Sequence, residues 1–393
     1  MYKNVLVVAV GFLLITCINE ASAAEKSRSG SSAGFVDVHM HLDGVQNPAS
    51  SSARQKEYAG PPGLPPAARR KMAMRRQAMM SKKHEQADGT ASADYLISLM
   101  DQHGVEKAIV MPPPQKSGQH AGYTYTSLLD SIRKYPDRLV LGGGGGTLNP
   151  MILDTKPSEV TEDARAIFRA KAEEIAKAGA HVFGEMAALH ICMNPKHSYS
   201  AALPDHPLFL LLADIAAEQD IPIDLHMEAV SSNMATPADF LEACDQNPNT
   251  LQATIPAFER LLGHNRSARI VWQHIGWDNT GQMTPSLLGA LLERHPNLYL
   301  AIKAVPESGR ANRIHDDSYH VLPEWLKLFE AFSDRIVVGA DEFARSESVK
   351  GGYKKPPFFS LTWKVIMSLP SELRDKIGRQ NAVRIYRLEP ETI

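Results

Sequence analysis

Short runs dominated by apolar residues recur along this chain, each separated from the next by a longer segment whose apolar positions return every three or four residues. The short runs are GFVDVHMH (34–41), KAIVMP (107–112), RLVLGGG (138–144), AHVFGEM (180–186), IPIDLHM (221–227), ARIVWQH (268–274), LYLAIKA (298–304) and RIVVGAD (335–341). Near-continuous apolar character over so few residues predicts strands covered on both faces, as in a parallel sheet. The longer segments, such as EDARAIFRAKAEEIAKAG, HPLFLLLADIAAEQD and TPSLLGALLERHP, predict amphipathic helices, several of which stop at Gly or before Pro. Strands alternating with helices imply crossover connections, and eight such units predict an α/β fold of the (β/α)8 TIM-barrel kind. An open doubly wound sheet shares the pattern.

Two stretches exceed this scheme and predict long loops after the first and fourth strands. Residues 45–90 form an insertion, Pro- and Ser-rich at its start, that contains AARRKMAMRRQAMMSKKHE (67–85). Its mixed basic residues and methionines suit a solvated or partly packed helix; a lid with arginines for an anionic substrate is the sharper alternative. The second stretch is ALHICMNPKHSYSAALPDHPL (188–208). Loops after strands build the active face of such a barrel, so both stretches shape the substrate pocket. The run Gly142–Gly146 lacks the Lys-Ser/Thr of a phosphate loop and reads as close backbone approach instead.

At the start of the chain, MYKNVLVVAVGFLLITCINEASAAEK combines an early Lys3, an apolar core from Val5 to Ile15 and small residues Ala21 to Ala24. That is the layout of a secretory signal peptide, and the core is too short to span a bilayer. The expected organisation is a signal peptide over 1–24, a Ser/Gly linker over 25–34 and a barrel domain over 35–390. Periplasmic export without stable membrane insertion follows, and a lipoprotein anchored at Cys17 is the weaker reading because Thr16 is large for its place. Cys192 and Cys244 then face an oxidising compartment, with their pairing left open. A net charge of −2 argues against a nucleic-acid partner. A homo-oligomer is compatible with the chain.

Chemistry concentrates where the strands end. The first strand supplies His39 and His41, the fourth Glu185, the fifth His226, the sixth His274 and the eighth Asp341. Residues two apart on a strand share a face, so His39 and His41 can reach one ion together. Imidazole and carboxylate are the ligands that a borderline metal such as zinc takes. Each residue has an ordinary explanation of its own: a capped strand end, a buried ion pair, a structural histidine, a helix N-cap. Six ligand-type residues at five strand ends are hard to derive from five unrelated causes. His190 and Lys303 are candidates to orient a substrate, with a packed polar residue or surface ion pair as the alternative. His84, His103, His264 and His295 read as surface residues.

This pattern resembles the amidohydrolase superfamily, and within it the amidohydrolase-related branch that includes aminocarboxymuconate-semialdehyde decarboxylase-like proteins. DVHMH (37–41), HPLFLLLADIAAEQDIPIDLH (206–226), RIVWQHIGW (269–277), DRIVVGADEF (334–343) and IGRQNAVRIYRL (377–388) carry the resemblance. It implies a (β/α)8 barrel with metal at the strand C-termini, held by His39, His41 and His226. It makes His274 a second-metal ligand or a catalytic histidine. Asp341 becomes the aspartate that binds metal and moves the proton. Many members carry a carboxylated lysine on the fourth strand, where this chain has Gly184-Glu185-Met186; others use a glutamate there, as Glu185 looks to do. The expected cofactor is a divalent metal, zinc with manganese as the alternative, one or two ions per chain. The expected activity is metal-dependent hydrolysis of an ester, amide, lactone or related bond in a small molecule. A metal-dependent non-oxidative decarboxylase and a non-catalytic metal-holding protein are the rivals.

Overall fold

The computed structural model describes residues 34–43, 89–117, 123–193, 198–306, 311–345 and 357–389. The expected signal segment with Cys17, nearly all of the linker, His84 and all but the end of the 45–90 insertion lie outside the described residues. The described residues from Phe35 onward form one compact unit.

Its strands are β1 (Phe35–Leu42), β2 (Val105–Val110), β3 (Leu139–Leu141), β4 (Gly143–Gly144), β5 (Phe183–His190), β6 (Ser200–Ala201), β7 (Ile223–Met227), β8 (Met234–Ala235), β9 (Thr250–Leu251), β10 (Ile270–Ile275), β11 (Leu298–Ile302), β12 (Ile336–Val338) and β13 (Glu342–Ala344). One parallel run is ordered β13-β1-β2-β3 and the other β12-β11-β10-β7-β5-β4. The runs meet twice. Gly142 N donates to Val110 O at 2.9 Å and Gly143 N to Val182 O at 3.0 Å, so β3 and β4 are halves of one strand shared between both neighbours. Gly339 N donates to Ile302 O at 3.0 Å and Asp341 N to His39 O at 2.9 Å, joining β12 and β13 in the same way. Counting each divided strand once closes eight parallel strands in chain order. The fold is the expected (β/α)8 TIM barrel.

The helices begin where their caps dictate. Thr161 and Thr284 accept from the amides of Ala164 and Leu287, and Pro207, Pro285 and Pro323 open helices with the fixed φ of a first turn. Helices Phe358–Ile366 and Asn381–Tyr386 go beyond the expected set. The second of them puts Ala382, Ile385 and Tyr386 into a cluster with Val36, Val38, Val271 and Val337, so the end of the chain plugs the barrel. A separate and larger core lies between strands and helices and takes Met40, Leu42, Phe183, Trp272 and Ile275.

The five glycines at 142–146 are required by approach, as expected. A Cβ on Gly145 would lie 2.3 Å from Pro112 O, and one on Gly146 2.1 Å from Tyr123 O. Gly184 is squeezed in the same way inside the barrel: its Cβ would fall 2.6 Å from the Cβ of Asp224 and 3.0 Å from Met111 Sδ. Gly184→Ala is expected to cost about 1–3 kcal/mol through overpacking. A thermal-unfolding midpoint equal to the parent's would contradict this account.

Candidate metal centre

Strict alternation along a strand would not bring all six candidate residues inward. Val36 and Val38 pack inside the barrel while Met40 and Leu42 face the helices, so the alternation breaks between Val38 and Met40. The β1–β2 register shifts between Asp37 and Met40, the mark of a bulge. Asp37 fastens it: this buried carboxylate accepts from His39 N at 3.1 Å, from Ala340 N at 3.2 Å and from Trp363 Nε1 at 3.0 Å. The β5–β7 register shifts between Phe183 and Met186, around Glu185. The β10–β11 register shifts between Trp272 and Ile275, around His274, whose φ is 65°. Asp341, with φ 51°, sits in the link between β12 and β13. Only His226 arrives on an unbroken strand. Bulges re-aim side chains, and here they turn donors toward the axis.

His39 Nε2 and His41 Nε2 lie 3.2 Å apart. Their other nitrogens are committed. His41 Nδ1 donates to Met111 O at 2.8 Å, and His39 Nδ1 donates to Asp224 Oδ2 at 3.0 Å, an oxygen that also accepts from Gln273 Nε2 at 2.7 Å. Neutral rings bonded in this way present bare lone pairs at both Nε2 atoms. Glu185 Oε2 is 3.2 Å from His41 Nε2 and 3.5 Å from His39 Nε2. Asp341 Oδ1 is 3.2 Å and 3.7 Å from the same two atoms. His39, His41 and Asp341 therefore bring three donors together, and Glu185 Oε2 lies against both imidazoles. The other oxygen of Glu185, Oε1, is 2.9 Å from His226 Nδ1 and 3.1 Å from His274 Nε2.

Such a set is short of a cation. Burial pulls the His39 imidazole down, but the charges of Asp224 and Glu185 outweigh it and hold His39 well above its ordinary value. Burial pushes Glu185 up, and the charge of His39 with hydrogen bonds from His226 and His274 holds it well below the usual carboxylate range. Asp341 is held low against its burial by Lys303 and His274. His274 is driven down to about 3 by burial, so it stays neutral. Two ionised carboxylates suit a divalent metal, which would take the place of the proton that their charge otherwise holds on His39. The separations of 3.2 to 3.7 Å match the donor–donor edge of a tetrahedral zinc site; that edge is about 3.3–3.4 Å for metal–nitrogen bonds of about 2.0–2.1 Å. Asp224 and the Met111 carbonyl are the outer partners that ligating histidines need.

The sequence profile of the amidohydrolase family matches residues 36–388. The chain belongs to the amidohydrolase family. A comparison with curated proteins finds no match. Among solved structures, an uncharacterised TIM-barrel protein from Bordetella bronchiseptica is 15% identical at a TM-score of 0.46, over 90% of this chain and 99% of that one. A 5-carboxyvanillate decarboxylase from Novosphingobium aromaticivorans, complexed with manganese, is 15% identical at a TM-score of 0.46, over 91% and 96%. A lactonase resembling phosphotriesterase from Deinococcus radiodurans, in mutant form, is 15% identical at a TM-score of 0.45, over 90% and 96%. The family is metal-dependent, and this amidohydrolase is accordingly a metal-dependent enzyme, a hydrolase or a decarboxylase.

The amidohydrolase site opens into a cavity of about 170 Å³. His226, His274, Asp341, Lys303, Trp277 and Phe358 are among the residues that line it. Lys303, expected near the substrate, is there; burial pulls its ammonium down and Asp341 opposes the shift. His190 is not among the lining residues: its ring lies 4.9 Å from that of His226, and its Nδ1 bonds Ser198 O. His295, read as a surface residue, is buried and 3.3 Å from Glu259. The expectations did not include Asp224, Gln273, Asp37, Trp277 or Phe358. Asp224 was within reach, since it stands two residues before His226 on one face of β7. Gln273 and Trp277 lie at and beyond the irregular end of β10, Asp37 stands just before the β1 bulge, and Phe358 opens a helix past the last strand.

His39 must lose its Nε2 proton before that atom can bind metal. Metal affinity is expected to rise with pH through and above the ordinary imidazole value, because His39 holds its proton well above it. Competition with a coloured chelator measures it, and a flat profile would remove His39 from the ligand set.

Proposed function

We propose that this amidohydrolase is a two-metal hydrolase acting on an ester, amide or lactone of a small molecule. The observation that carries the reading is the division of Glu185, one oxygen toward His39 and His41 and the other toward His226 and His274. A carboxylate placed in this way suits a bridge between two cations. His39, His41, Asp341 and Glu185 Oε2 would hold one ion, and His226, His274 and Glu185 Oε1 the other, with zinc the metal best suited to the donors. Bound metal supplies Lewis acidity and brings the pKa of water from about 15.7 to about 7.

The protein's own groups do the rest. Asp341 reaches the cavity and is ionised, so it accepts the proton of the attacking water and returns it to the leaving group. His274 is neutral, as a metal ligand must be. Trp277 and Phe358 offer apolar surface to the substrate. The second reading is a non-oxidative decarboxylase with one metal, favoured by the four donors around His39 and His41 being complete without the second ion.

Export to an oxidising compartment fits the start of the sequence, and a disulfide supports it. Cys192 and Cys244 are bonded, with Cα atoms 5.9 Å apart, which joins the loops after β5 and β7. Their separation of 52 residues corresponds to about 4 kcal/mol in the chain-entropy account of loop closure. Reduced protein is therefore expected to unfold at clearly lower denaturant concentration, and coincident curves with and without reductant would count against a stabilising disulfide.

Elemental analysis of purified protein is expected to give two metals per chain; one metal per chain would favour the decarboxylase. Asp341→Asn is expected to fold and to lose about 10²–10⁴-fold in turnover on an ester and lactone panel. Turnover retained in that variant, or in protein verified to be metal-free, would overturn the hydrolytic mechanism.

A further inference from the structure

Asp341 has two oxygens with two sets of neighbours. Oδ1 lies 3.2 Å from His41 Nε2 and 3.7 Å from His39 Nε2. Oδ2 bonds Lys303 Nζ and lies 3.5 Å from His274 Nδ1. A carboxylate free to turn about its last bond exchanges its oxygens, so something must keep them distinct.

Lys303 is built to do so. It follows β11 directly and is 1% exposed. Asp341 is its hydrogen-bonding and ion-pair partner among the described residues. Burying an ammonium with a single partner is costly, and aromatic faces reduce that cost. Nζ lies 3.7 Å from the centroid of Trp277 and 4.8 Å from that of Phe358. The cage is itself anchored: Trp277 N donates to His274 O at 2.9 Å, and Trp277 Nε1 to Asn279 Oδ1 at 3.0 Å. The backbone of the lysine is fixed on both sides, by Lys303 N to Ile275 O at 2.9 Å and by Ala304 N to Thr362 Oγ1 at 3.1 Å.

We propose that Lys303, held in the Trp277–Phe358 cage, is a positioning residue that clamps Asp341 Oδ2, so that Asp341 offers the metal one oxygen only. The clamp sets the coordination number at the His39–His41 ion. Without it, Asp341 chelates through both oxygens or swings away, and either change alters metal geometry before any substrate arrives. The proposal rests on the metal-dependent reading above.

Cobalt(II) tests it, because its visible absorption weakens as coordination rises above four. The cobalt-loaded parent gives one spectrum. Lys303→Met is expected to change its intensity and band position and to weaken metal affinity about 10–100-fold, as loss of an outer partner does. Trp277→Leu, which removes one face of the cage, is expected to move the spectrum in the same direction. Trp277→Phe keeps a ring for the ammonium and is expected to preserve it. A loss of packing alone predicts no such difference between the two Trp277 variants when their unfolding midpoints agree. Should Lys303→Met fail to fold, the Trp277 pair decides. Parental spectra and affinities in Lys303→Met and Trp277→Leu overturn the clamp and leave the metal reading intact. A parent that takes up no cobalt, zinc or manganese overturns both.

Discussion

Two ionised carboxylates at the mouth of the barrel determine what surrounds them. Glu185 is buried and Asp341 is largely withdrawn from water, so their charge is tolerable only if positive charge or strong donors come within reach. Histidines 39, 41, 226 and 274 approach them from three strands, and Lys303 approaches from a fourth. The apolar core cannot supply this. It supplies rigidity, so that groups which would otherwise move apart or take up solvent are kept at separations suited to a metal ion. Asp224 extends the same logic outward, since its own carboxylate, pushed up to about 6 by burial, is held by His39 and Gln273.

The ends of the barrel divide the labour. The cluster of Val36, Val38, Val271, Val337 and Tyr386 is buried and almost wholly apolar. Beyond it, register shifts in the pairing of β1, β5 and β10 interrupt regular alternation, and the donors follow at those interruptions. Regular strands stabilise the lower half and irregular ones equip the upper half.

That division explains what could be read in the sequence. The strands were legible because both of their faces are buried, which leaves continuous apolar runs. The donors were legible because imidazoles and carboxylates at the ends of such runs are conspicuous, and Gly142–Gly146 was legible as close approach. The inward turn of His274 was not, because Val271, Gln273 and Ile275 share its alternate positions and alternation by two would send His274 to the helices. The buried state of His295 depends on contacts between helices that have no local pattern. Helix Phe358–Ile366 takes the place of the eighth helix that the repeat calls for, and Asn381–Tyr386 lies past it, where the repeat gives no further cue. The pairing of Cys192 with Cys244 is fixed by two loops whose proximity only the closed barrel creates.

Closure of the ring has a further consequence. β1, which opens the barrel, hydrogen-bonds to β13, near its end, and Tyr386 seals the interior from almost the last described turn. The first pair of donors and the last donor in the sequence are neighbours across that seam, some three hundred residues apart along the chain. A chain that stops short of Asp341 lacks the last donor, so this donor set forms only when the ring closes.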